Sequence, residues 1–184
     1  MDERHCKQLL GVVKDSIKYG LENNSRLHIN PAEFDSVLRE KRATFVTLHL
    51  NGELRGCIGS LCAHKSLIEE LSSNAYSAAF RDPRFPPLEA IEFDQLHYHI
   101  SILTQPTPIL FTSEKDLIDQ LRPNIDGLVL KEGMNSGTFL PSVWEQLPDR
   151  ETFLQHLKQK AGLSQSYWSD RITIDRYEVD SFEG

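Results

Sequence analysis

Arg55-Gly56-Cys57-Ile58-Gly59 sets a thiol between two glycines, two positions beyond a guanidinium. A thiol attacks as its thiolate, and a nearby cation favours that form, so Arg55 beside Cys57 is a pairing on which nucleophilic or redox chemistry can be built. Glycine lets other groups approach the backbone closely. Cys57 is therefore the candidate nucleophile and Arg55 its candidate electrostatic partner, with Gly56, Ile58 and Gly59 as candidate binding positions. The competing reading is a small buried residue in a tight hairpin, because free cysteine is among the residue types most often buried.

A second group lies in Asp82-Pro83-Arg84. The planar fork of Arg84 suits a carboxylate or phosphate, and Asp82 would orient that fork or Arg55. Turn chemistry alone would also place Asp and Pro here, with Arg84 merely tying loops together. A reactive cysteine usually works with a base, and His49, His64, His97 and His99 are the available imidazoles. No spacing rule selects among them, since catalytic partners meet in space. Cys57, Cys62 and His64 offer metal ligands without paired C-x-x-C or H-x-x-x-H spacing, so no metal is expected and no cofactor is named. Lys158, Lys160 and Arg150 read as a solvated face and Trp144 as core.

The elements that position these groups follow from periodicity. Cys6, Leu9, Leu10, Val13, Ile17 and Leu21 recur at helical spacing and predict a helix over 2–22, stopped by Gly20 and Asn23-Asn24. A loop with Pro31 and a helical turn over 32–40 follow. The run Thr44–Leu50 is β-branched and aromatic, and Asn51-Gly52 after it is the favoured type I′ hairpin turn. A two-residue turn pairs Leu50 with Glu53, Leu48 with Arg55 and Val46 with Cys57, which puts Arg55 and Cys57 on one face with Val46 and Leu48 unless a bulge at Gly56 intervenes. A helix is predicted over 66–80 with Ser66 as N-cap, ended by the proline-rich 82–88. Strands are expected over 95–104, 126–131, 138–139 and 172–179, the middle two around a Gly133–Gly137 turn. Further helices are expected over 113–121 and 153–161. Mixed elements without strict βαβ alternation, and at least one hairpin, indicate an α+β fold.

The length of 184 residues fits one domain, and no linker or composition shift divides it, so 1–184 is read as a single unit that allows for two lobes. A net charge of −7 disfavours nucleic acid, whose binding rests on basic surface. The charged start Met1–His5 leads into no apolar stretch, and no run is long enough to span a bilayer. Three cysteines cannot all pair within the chain, and a reducing cytoplasm is the expected location.

Three separated blocks carry a resemblance. Leu54–Gly59 is similar to the signature of the AMMECR-one domain family, whose bacterial members are called AmmeMemoRadiSam system protein A. Asn74–Leu88 resembles the family's alanine-rich helix and Asp-Pro-Arg-Phe loop. Ile125–Leu128, Gly137–Trp144 and Leu157–Leu163 resemble its C-terminal half in order and spacing. The resemblance implies a mainly antiparallel, barrel-like sheet with flanking helices, two unequal lobes and a cleft that the motif lines or adjoins. It implies no settled activity. It does imply association with a Memo-like protein and a radical SAM protein, either as a cysteine-dependent accessory enzyme or small-ligand-binding protein, or as a non-enzymatic interaction module.

Overall fold

The computed structural model describes residues 1–184, which divide into two compact units: Met1–Leu103 with Asp180–Gly184, and Thr104–Val179. The first carries the cysteine motif. Its α1 (Glu3–Asn23) starts where the Asp2 carboxylate accepts the His5 N–H, and stops where Asn24 turns left-handed at φ 50°. Leu9, Val13 and Ile17 form the face it buries. The strands β1 (Thr44–Leu50) and β2 (Glu53–Gly59) form the expected hairpin, with Asn51 and Gly52 both at positive φ as a type I′ turn demands. Then α2 (Leu67–Phe80) begins at a capping box between Ser66 and Glu69, and β3 (Leu96–Leu103) follows after a 3-10 turn at Ala90–Gln95.

Together with β8 (Val179–Glu183), these strands form a four-stranded sheet in the order β2-β1-β3-β8. Val46, Leu48, Ile100 and Ile102 on one face are fully buried with Leu67, Ile68 and Leu71 of α2 in a single core. Alternation along each strand leaves Phe45, Thr47, His49 and His99 half-buried on the other face.

The hairpin register differs from the two-residue-turn expectation, and the difference moves the thiol. Leu50 faces Glu53 as expected, but His49 faces Leu54, Leu48 faces Gly56, Thr47 faces Cys57 and Val46 faces Ile58. Arg55 is the extra residue of a bulge, so every side chain beyond it changes face. Gly56, rather than Cys57, meets the core. A Cβ on Gly56 would sit 2.2 Å from the Ala78 carbonyl oxygen of α2, so the absence of a side chain is what allows helix and strand to close up. Cys57 consequently shares Thr47's half-buried face instead of joining Val46 and Leu48.

In the second unit, β4 (Thr107–Pro108), β5 (Gly127–Glu132), β6 (Asn135–Phe139) and β7 (Thr173–Tyr177) form an antiparallel sheet in the order β4-β7-β5-β6. The helices α3 (Glu114–Gln120) and α4 (Arg150–Lys160) complete it. Trp144 is core, stacked on Phe153 with ring centroids 3.6 Å apart. Two expectations are corrected here. Gly137 lies inside β6 rather than in a turn: Glu132 already pairs with Asn135, and Gly137 instead lets the end of α4 approach, since a Cβ there would come within 2.8 Å of the Ala161 nitrogen. Lys158 is not on a solvated face: its side chain is fully buried, donating to the Glu114 carboxylate and to the Gln165 carbonyl at 3.1 Å. A buried ammonium is tolerated when a carboxylate neutralises it, which charge counting along a helix does not reveal.

Gly56→Ala is expected to destabilise the protein by about 2 kcal/mol or more, because the added methyl meets backbone rather than a movable side chain. Urea denaturation would show it, whereas Gly11→Ala, inside α1 with no atom within 4 Å, is expected to stabilise by about 1 kcal/mol, the ordinary helix preference for Ala over Gly.

Candidate functional site

Cys57 is partly exposed on β2 and its thiol is free. The Thr47 hydroxyl donates to its sulfur at 3.1 Å. That contact follows directly from the bulge, since it is the shifted register that seats Thr47 opposite Cys57. The backbone of Cys57 is gripped from the other side. Its N–H donates to Asp82 at 2.9 Å, and its carbonyl accepts from Arg84 Nη2 at 3.1 Å.

Asp82 organises the loop beyond α2. Its side chain is only 2% exposed, yet it accepts four hydrogen bonds, from the Cys57 N–H, the Arg84 N–H, Arg84 Nε and Arg84 Nη2. The Arg84 side chain, helped by the two backbone donors, holds the Asp82 carboxyl well below the usual carboxylate range despite the burial that would raise it. Arg84 is correspondingly more basic, chiefly through its hydrogen bonds and charge pairing with Asp82. Its guanidinium is half-exposed, and Nη1 has no protein partner. The cation held against Cys57 is thus Arg84, through the backbone carbonyl.

Arg55 is committed elsewhere. It makes a bidentate pair with Glu92, Nε at 2.6 Å and Nη2 at 2.9 Å, and Nη1 donates to the Pro86 carbonyl at 3.0 Å. Both side chains of the pair are mostly buried, 11% and 17% exposed. Glu92 is held below the ordinary carboxylate range by Arg55. The expected Arg55–Cys57 partnership is therefore replaced by a tie from β2 to the segment after Pro86-Pro87. The reason is the bulge, which takes Arg55 out of the regular alternation.

The other motif positions have packing roles. Gly56 admits Ala78, and a Cβ on Gly59 would fall 2.3 Å from the Phe45 ring and 2.4 Å from the Thr44 carbonyl oxygen. Ile58 packs against the first unit's core. No imidazole bonds to the Cys57 sulfur. His99 is the Cα partner of Thr47 on β3, so it lies two strands from Cys57, roughly 10 Å at ordinary strand spacing. His49 and His97 face each other one row further along, and Cys62 and His64 sit in the exposed loop before α2. No group of three or more His, Cys, Asp or Glu side chains is placed to hold a metal ion. Thr47 and Glu92 carry no motif of their own. Placing the bulge at Arg55 is the one sequence inference that would have reached Thr47.

Removing Asp82 separates structure from charge. Because the fold lowers its pKa, its contribution to stability is present above the unfolded carboxyl value of about 3.9 and is lost as pH falls through the folded value. Asp82→Asn is expected to be less stable at neutral pH and to lose less stability on acidification than the parent. Urea midpoints measured from neutral pH down into the acid range would check both. Arg55→Met is expected to cost about 1–3 kcal/mol, by the scale of charged hydrogen bonds, while leaving the alkylation rate of Cys57 unchanged.

Residues 10–182 match the family model described as AMMECR1. An archaeal protein from Methanothermobacter thermautotrophicus is 35% identical over 178 residues, covering 96% of this chain and 92% of its own. Protein MJ0810 of Methanocaldococcus jannaschii is 40% identical over 154 residues, covering 82% and 77%. The crystal structure of the uncharacterized protein PH0010 from Pyrococcus horikoshii aligns with a TM-score of 0.77 at 31% identity, covering 95% of this chain and 89% of that one. None of these names states an activity. No helix is long and apolar enough to cross a membrane.

Proposed function

The chain belongs to the AMMECR1 family, and from that premise we propose that it acts through Cys57 on a small electrophile carrying an anionic group. The observation that carries this reading is the pair of contacts made to Cys57: the Thr47 hydroxyl donates to its sulfur, and the fixed Arg84 guanidinium donates to its carbonyl. An O–H donor and a cation are the kinds of group with which a thiol nucleophile works when it attacks. The Arg84 side chain is half-exposed and Nη1 has no protein partner, which leaves its two N–H groups for a ligand carboxylate or phosphate. Asp82 is a positioning residue, holding the fork against the strand. For an acyl-bearing substrate, a bond forms between Sγ and the carbonyl carbon as the bond to the leaving group breaks. The leaving group takes the electron pair, and the thiol proton passes to water. Working alongside a Memo-like and a radical SAM protein, such a thiol would capture or relay a group those partners supply.

A second reading has its own support. Arg55, Gly56 and Gly59 are each accounted for by packing, so the motif also works as a structural corner that shapes a docking surface for those partners.

Iodoacetamide alkylation at a fixed neutral pH, with Cys57→Ser as the blank, tests the first reading. Thr47→Val and Arg84→Met are each expected to slow modification of Cys57 by roughly tenfold, the scale of a charged hydrogen bond. A thiol inert in the folded protein, or indifferent to both changes, would overturn it. Full retention of partner binding by Cys57→Ser in co-purification would then favour the docking role.

A further inference from the structure

Away from the thiol, the first unit holds a cavity of about 190 Å³ between the segment after α1 and the flank of α2. Its walls include Arg26, His28, Lys65, Glu69, Ser72 and Ser73. Nothing in the chemistry of Cys57 uses it.

Three observations decide what it would take. First, Arg26 is oriented but not satisfied. Nη2 donates to Ser77 Oγ at 3.3 Å and the guanidinium lies over the Tyr76 ring at 5.7 Å, yet no carboxylate pairs with it. Of its five N–H donors, four are uncommitted. Secondly, Glu69, the carboxylate in the wall, is already engaged. Its Oε2 accepts the Ser66 N–H at 3.3 Å and the Ser66 hydroxyl, so that oxygen serves the capping box, and neither cation forms an ion pair with the carboxylate. Thirdly, the floor is rigid. Ser72 is buried, accepts from Ser16 at 2.8 Å and donates to the Leu27 carbonyl at 3.4 Å, which ties α1, α2 and the Arg26 segment together.

We infer that this cavity is a binding site for a phosphoryl group, held by Arg26 and Lys65 with Ser73 and His28 as further donors. A planar carboxylate is satisfied by one guanidinium fork, whereas a tetrahedral anion takes donors from several directions, and four donor-bearing residues line this cavity. The volume is below the roughly 300–1,000 Å³ typical of drug-sized ligands, so the site fits a phosphate or the phosphorylated end of a metabolite. On a chain of net charge −7 the attraction is local, and it weakens as salt rises.

The probe is inorganic phosphate, titrated against the full chain at constant ionic strength while backbone amides are followed by NMR. Saturable shifts are expected at residues 26–29 and 72–73. Arg26→Gln and Lys65→Gln, both at exposed positions, are each expected to weaken binding roughly tenfold while thermal unfolding stays unchanged. Absence of saturation, shifts unaffected by either variant, or equal binding of acetate would overturn the assignment. The titration is independent of Cys57, and Cys57→Ser is expected to bind phosphate like the parent.

Discussion

One buried carboxylate holds the candidate site together. Asp82 lies at the end of α2, accepts the N–H of Cys57, and clamps the guanidinium whose other contact is the carbonyl of the same cysteine. A carboxylate with almost no exposed surface is costly unless its lone pairs are filled, and here four donors fill them. The same arrangement makes the position of Arg84 a consequence of burial. A surface arginine would otherwise sample many rotamers. Pro83 between the two residues stiffens the turn, so strand, loop and guanidinium keep one geometry.

The hairpin bulge has comparable influence, through geometry rather than charge. A single extra residue turns Gly56 inward, where α2 presses its Ala78 carbonyl against a position that has no side chain. It turns Cys57 onto the half-exposed face beside Thr47, and it releases Arg55 to pair with Glu92. Three residues adjacent in sequence therefore take three places: an ion-paired tie, a close helix contact and a partly exposed cysteine. The second unit shows a related economy. Lys158 is buried against Glu114 and beneath the Trp168 ring, 5.7 Å from its centroid, so its stem fills space while its charge is neutralised.

Much of the architecture was legible in the letters. The helix expected over 2–22 occupies Glu3–Asn23, that over 66–80 occupies Leu67–Phe80, and the strand over 95–104 occupies Leu96–Leu103. These segments have strong periodicity and local stop signals, which depend only on near neighbours. The Asn51-Gly52 turn is similarly local, because its positive φ values restrict the residues that fit. Where short strands meet, the reading loosened. The last strand expected over 172–179 is two, Thr173–Tyr177 and Val179–Glu183, belonging to different sheets, and a five-residue apolar pattern cannot say which partner it joins.

By itself the sequence determined the α+β class, the order of the main elements, the hairpin turn, the family and the short list of groups able to do chemistry. The tertiary structure alone decided which of those groups meet. Strand alternation has a period of two, so one unpaired residue at Arg55 inverts every later assignment, and nothing in local propensity marks that residue. Pairings such as Asp82 with the Cys57 N–H or Arg55 with Glu92 join residues 25 and 37 positions apart. Their existence depends on how helix and sheet pack, a property of the whole core rather than of any segment within it.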